Sequence, residues 1–249
     1  MVAQTVHPNP NSVHILGVDV SLLDMEQTLA LLQAQIASRE PSLVVTANAT
    51  ALVIAHDDPR FLTEMKSAKF VTVDGSGLQW AIRRKGHPIV PKVTGVDLVE
   101  RLCDLSVKHG YRIAFVGGEP GVAELAADNL KKRFPGCNIV LARHGYFKPD
   151  EDAKVAEEIA IEKPDVLFVA MGMPRQERFI LSTMNVIQAP IAVGVGGSLD
   201  VFSGRTKRAP KVIQKLHLEW LWRSILNPYK FKKLTALPRF IVLALKEKK

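Results

Sequence analysis

Three features of this 249-residue chain predict an α/β fold built on a largely parallel sheet with helices on both faces. Short apolar runs alternate with amphipathic stretches from Val13 to Val195, the pattern of strands joined by helical crossovers. Polar and glycine residues repeatedly follow those apolar runs, as expected where loops leave the carboxyl ends of parallel strands. An apolar content of 47% over this length is enough to bury a full core, which excludes disorder as the main state. The arrangement is Rossmann-like, and it carries a basic amphipathic helical appendage at its C-terminal end.

The predicted strands are Val13–Leu16, Leu43–Thr46, Phe70–Val73, Arg112–Val116, Asn138–Ala142, Val166–Ala170 and Ile191–Val195. Asp24 followed by Gln27 reads as a capping box that opens a helix to about Ser38. Thr50–Ala55 reads as a short helix, and Asp57-Asp58-Pro59 as the turn that breaks it. Further helices fit a start near Ser76, then Val96–His109, Gly121–Phe134, Glu151–Glu162 and Gln176–Met184. Neither an internal repeat nor a low-complexity segment is visible. The chain divides into an α/β catalytic domain over 1–204 and the appendage over 205–249.

Met1 to Ser12 carries neither a basic n-region nor an apolar h-region, so the protein is expected to remain inside the cell. Cys103 lies in a helical pattern and Cys137 beside a strand, without CxxC spacing, and both read as reduced structural thiols. His144 and His217 lack ligand-like spacing and read as structural residues. No DxD triplet stands at a strand end, so neither a metal nor another cofactor is expected.

The net charge of +8 is unevenly placed. Arg205 to Lys249 holds 13 Lys or Arg against the two acids Glu219 and Glu247, which makes the tail +11 and leaves the body at −3. Trp220, Trp222, Tyr229, Phe231 and Phe240 interleave with those bases, the composition of a segment lying among lipid headgroups. The longest apolar run there, Phe240–Leu245, is far short of the roughly 20 residues that span a bilayer, so it is expected to lie on the membrane. Core helices with a basic outer face remain the alternative, above all for Lys211–Ile225. A nucleic-acid-binding tail is a further one, which predicts tight, salt-dependent binding.

Gly194 to Pro210 is the most informative block. Glycines follow an apolar run and lead into Arg205, Lys207 and Arg208, which is how an anion-binding turn is written. A tight strand-to-helix connection with a solvated basic rim is the other reading of the same residues.

This block resembles the signature of the WecG/TagA/CpsF glycosyltransferases (glycosyltransferase family 26), bacterial enzymes of cell-surface polysaccharide assembly. The resemblance extends in order through Thr46-Ala47-Asn48, Val73-Asp74-Gly75, Val93 to Leu98, Phe115 to Gly118, Gly172 to Glu177 and Leu218 to Arg223. It implies an inverting transfer of a sugar from a UDP donor to polyprenyl-diphosphate-linked N-acetylglucosamine, on the inner face of the cell membrane. N-acetylmannosamine is the favoured sugar and teichoic acid assembly one of the open pathways. Glucose or N-acetylmannosaminuronic acid are the rival donors, and homo-oligomerisation stays open.

Asp74, after Phe70–Val73 and before Gly75, is well placed to take a proton from an acceptor hydroxyl, although the residues alone favour an Asx turn or the cap of the helix starting near Ser76. The resemblance makes it the general base. Thr46 and Asn48 offer a hydroxyl and an amide suited to sugar hydroxyls, with helix capping as their alternative; by resemblance they line a sugar pocket together with Gln176. Departure of a nucleoside diphosphate needs positive charge and backbone N–H groups, for which Lys92, Arg223, Lys230 and Lys233 are the candidates. Lys92 stands where the family commonly has Arg. Thr94, Asp97, Gly117, Gly118, Gly172 and Pro174 fall within the resembling blocks and are expected around the substrates, while Gly196, Gly197 and Asp200 would hold the nucleotide. A nucleotide-dependent oxidoreductase is disfavoured because no GxGxxG follows a strand.

Overall fold

The computed structural model describes residues 11–206, 210 and 236–247. Within them the chain begins with a hairpin of β1 (Ser12–Ile15) and β2 (Val18–Ser21). Helix α1 (Met25–Ser38) follows, opened by the expected capping box: Asp24 accepts from the Gln27 backbone and Gln27 accepts from the Asp24 backbone. The main sheet then alternates strands and helices. Its strands are β3 (Leu43–Ala47), β4 (Phe70–Val73), β5 (Ile113–Gly117), β6 (Ile139–Arg143), β7 (Val166–Ala170) and β8 (Ile191–Gly194). They lie in the order β4-β3-β8-β7-β5-β6, and every neighbouring pair is parallel. All six carboxyl ends therefore open at one edge.

The helices between them are α2 (Ala49–Asp57), α3 (Pro59–Lys66), α4 (Ser76–Arg84), α5 (Gly95–His109), α6 (Val122–Arg133), α7 (Asp152–Ile161), α8 (Arg175–Ile187) and α9 (Ser198–Phe202). They cover both faces, which is why the strands read as unbroken apolar runs rather than alternating ones. Leu43, Val45, Val116 and Val169 face one core with α2, α3, α4, α7 and α8, while Val44, Phe115, Phe168 and Val193 face the other with α1, α5, α6 and α9. Cys103 and Cys137 are free thiols buried in the second core.

Two departures from the sequence reading have clear causes. Val13–Leu16 joins a separate hairpin rather than the main sheet, because Leu16 and Gly17 both take positive φ (47° and 87°) and fold the chain back on itself. Helix α8 also runs past Met184 to Ile187, which is buried, and stops at left-handed Gln188.

Helix α10 (Ala236–Lys246) packs on α2 and α4. Phe240, within the apolar run expected to lie on a membrane, is fully buried in the first core, while Val242 and Leu245 remain exposed. Arg239 grips Asp57 through two hydrogen bonds of 2.5 and 2.7 Å, and Arg84 donates to the carbonyls of Ala244 and Leu245 at the end of α10. No helix among the described residues is long and apolar enough to cross a membrane.

Candidate active site

The polar residues singled out in the sequence stand at the carboxyl edge of the sheet. Asp74 is the first residue beyond β4, half-buried, and its backbone N–H donates to Ala47 O at 2.7 Å, so it leaves the sheet beside the end of β3. Gly75 follows at φ 142° and occupies the cap position of α4; a Cβ there would lie 3.6 Å from Asn48 Cβ. The turn carrying Asp74 thus rests against Asn48.

Thr46 and Asn48 both have work within the fold. Thr46, buried near the end of β3, donates its hydroxyl to Gly194 O at 2.8 Å and ties β3 to β8. Asn48 caps α2, its side-chain oxygen accepting from Ala51 N at 3.2 Å. The segment from Lys92 runs beside β4: Val93 N donates to Val73 O, and Thr72 Oγ1 donates to Val93 O. Lys92 is brought in this way to the edge near Asp74. Thr94 then caps α5, accepting from Asp97 N at 3.2 Å and donating to Asp97 Oδ2 at 2.7 Å.

Beyond β5, β7 and β8 the edge is made of backbone. Gly117 has φ 151°, and a Cβ on it would fall 2.4 Å from Ala170 O; Gly118 N donates to that same carbonyl at 3.0 Å. Gly145, after β6, donates its N–H to Gly118 O at 2.9 Å. These three glycines let the ends of β5, β6 and β7 close on one another more tightly than side chains would allow. Gly172, at φ 78°, leads through Met173 and Pro174 into α8, and Gly196, at φ 52°, leads into Gly197 and α9. The Asp200 carboxylate folds back toward this last turn, 3.3 Å from where a Cβ on Gly197 would stand.

Gln176 joins the two turns. Its Oε1 accepts from Gly172 N at 3.2 Å and from Gly196 N at 3.0 Å, and its Nε2 donates to Glu177 Oε1 at 2.7 Å. Burial pushes the Glu177 carboxyl up to about 7, although Gln176, its own backbone N–H and Arg178 favour the charged form. The sequence reading quoted Glu177 without giving it a role. A signal was available, because Glu177 shares a helical face with Ile180, Leu181 and Met184 and so projects toward the core.

Several bases near the edge are already paired. Arg205 bridges to Glu119, linking the segment after α9 to the turn after β5. Arg175 binds Asp152 and stacks over Phe147 and Phe179, at 5.5 and 5.8 Å from the ring centres. Asp58 caps α3 and pairs with Arg178. The expected diphosphate contacts Arg223, Lys230 and Lys233, with Lys207 and Arg208, lie outside the described residues.

The edge offers a carboxylate, neutral hydrogen-bonding groups and close-packed glycine turns, the components of a transfer onto a hydroxyl with an anionic leaving group. The comparisons agree with that chemistry. The sequence matches the model of the Glycosyl transferase WecG/TagA/CpsF family over residues 13–249. It is 35% identical over 208 residues to an N-acetylglucosaminyldiphosphoundecaprenol N-acetyl-beta-D-mannosaminyltransferase of Bacillus spizizenii, covering 84% of this chain and 80% of that protein. It is 31% identical over 243 residues to a Staphylococcus aureus protein of the same name, covering 97% of this chain and 95% of the relative. With the match running through every block of the edge, the chain belongs to the WecG/TagA/CpsF family and is a glycosyltransferase.

Proposed function

We propose that this glycosyltransferase moves N-acetylmannosamine, with inversion, from a UDP donor to N-acetylglucosamine carried on a polyprenyl diphosphate. The observation that carries the reading is the position of Asp74, a half-buried carboxylate at a strand end beside Asn48 and on the same edge as the glycine turns. The names of the two relatives supply the sugar and the acceptor.

In the transfer Asp74 takes the proton from the acceptor hydroxyl as that oxygen bonds to the anomeric carbon. The bond from that carbon to the UDP oxygen breaks on the opposite face, and its electron pair leaves with the β-phosphate. Thr46 and Asn48 border the place where the sugars would meet. Backbone N–H groups of the turns after β5, β7 and β8, together with Lys92 and Arg223, balance the charge on the departing diphosphate, and no metal is assigned to the step. Arg223, Lys230, Lys233 and the neighbouring bases bring the enzyme to an anionic bilayer on the cytoplasmic side, where the lipid-linked acceptor resides.

The test is UDP release by the full chain on anionic vesicles carrying a polyprenyl-diphosphate N-acetylglucosamine analogue. UDP-N-acetylmannosamine, UDP-N-acetylglucosamine and UDP-glucose are supplied in turn. Acceptor-dependent release from the first alone is the expected result; release from another donor alone would overturn the sugar assignment.

A further inference from the structure

Gln176 is 2% exposed and Glu177 fully buried, whereas Asp74 is only half-buried. Both amide ends of Gln176 are already occupied. Its carbonyl oxygen accepts from two backbone N–H groups 24 residues apart in the chain, Gly172 and Gly196, and its nitrogen donates to Glu177. A reversed amide would aim N–H at N–H on one side and oxygen at carboxyl oxygen on the other, so the three partners fix one orientation. Glu177 is the only one of the three that is a side chain.

Gly194 makes room for this group. It closes β8 without a positive φ, so its lack of a side chain answers to space: a Cβ would lie 2.4 Å from Gln176 Nε2 and 2.8 Å from Glu177 Oε1. The same residue's carbonyl receives the Thr46 hydroxyl. The ends of β3 and β8 and the turn after β7 therefore meet at one buried hydrogen-bonded cluster. The second oxygen of Glu177, Oε2, is buried without a hydrogen-bond partner among the described residues, a cost that a carboxyl with a purely space-filling role would not need to carry.

We propose that Glu177 is a positioning residue: it orients the Gln176 amide, and through that amide it sets the spacing of the two glycine turns that receive the diphosphate of the donor. Gln176 then serves the site by holding backbone rather than by touching sugar. The Gly172 and Gly196 N–H groups are committed to the amide, which leaves the other N–H groups of those turns to meet the phosphates. Glu177 acts as an acceptor through Oε1 in either protonation state, so the clamp needs its hydrogen bond and not its charge. This inference rests on the UDP-donor reading above.

The test is calorimetric titration of UDP, without any sugar, into the full-length wild type and the variants Gln176→Leu, Glu177→Leu, Glu177→Gln and the double Leu variant. Each single Leu variant is expected to weaken UDP binding about tenfold, the scale of one broken buried hydrogen bond, and the double variant no further than either alone. Glu177→Gln, which keeps an acceptor oxygen, is expected to remain within about threefold of wild type. Unchanged UDP binding in the Leu variants, additive losses in the double variant, or a Glu177→Gln defect as large as Glu177→Leu would each overturn the proposal. A wild type that does not bind UDP would instead overturn the donor reading beneath it. Hydrogen exchange guards against variants that fail to fold. In the wild type the Gly172 and Gly196 amides should both be protected, and in Gly194→Ala they should accelerate together; independent acceleration of one alone would contradict a shared clamp.

Discussion

The two halves of the carboxyl edge are built from different materials. At β3 and β4 the edge presents side chains: Thr46, Asn48 and Asp74, with Lys92 brought alongside. At β5, β7 and β8 it presents backbone, with Gly117, Gly118, Gly172, Gly196 and Gly197 standing where side chains would otherwise project. Proton transfer needs a group of chosen acidity at one point, which only a side chain provides. A diphosphate is large and diffusely charged, and it is met best by several N–H groups that approach closely. On the proposed reading the acceptor and its proton belong to the first half and the departing nucleotide to the second, with Lys92 assigned to the diphosphate from the side of the first.

The largest effect should come from the first half. Asp74→Asn is expected to lower kcat by about 10²- to 10⁴-fold, the usual contribution of a positioned base, as read by UDP release with saturating substrates. Next is the close packing of the second half. Gly117→Ala would put a methyl 2.4 Å from Ala170 O at a positive φ of 151°, and about 1–3 kcal/mol of stability should be lost in urea denaturation. Asn48→Ala removes the cap of α2 and should cost about 1 kcal/mol by the same measurement.

A further effect concerns the buried acid between the halves. Glu177 ionises near 4.5 when unfolded, but burial raises it to about 7 in the folded protein, with Glu64 adding to the rise and Arg178 opposing it. Between those values the unfolded chain releases a proton that the folded one retains. Wild-type stability should therefore fall as pH rises from about 4.5 to about 7, and Glu177→Gln should lack that slope. Parallel stability–pH curves for the two proteins would contradict this.

Both halves could be read in part from the sequence. Glycine turns after apolar runs announce themselves, and so does a carboxylate at a strand end such as Asp74. The parallel order and both covered faces followed from the alternation of short apolar runs with amphipathic stretches. Strand β2 was hidden because its turn uses Leu16 in a left-handed conformation, where glycine or asparagine would have been the signal. The clamp was hidden for a different reason: whether Gln176 faces a sugar or a pair of backbone amides depends on how the turns after β7 and β8 approach each other, and local pattern does not encode that distance. The alternative use of Asn48 as a helix cap was legible and the structure shows that cap formed, whereas the cap that Thr94 makes on α5 was not foreseen.

The division of the edge is tested most directly by measuring UDP affinity for Asp74→Asn and Gly196→Ala side by side. Gly196 has φ 52°, so alanine there carries left-handed strain, but its Cβ meets no described atom within 4 Å, which keeps the packing of the fold while setting a methyl in the path of a ligand. The account predicts wild-type UDP affinity for Asp74→Asn and a loss of about tenfold or more for Gly196→Ala, the cost of obstructing a close backbone approach. Lost UDP affinity in Asp74→Asn together with unchanged affinity in Gly196→Ala would contradict it.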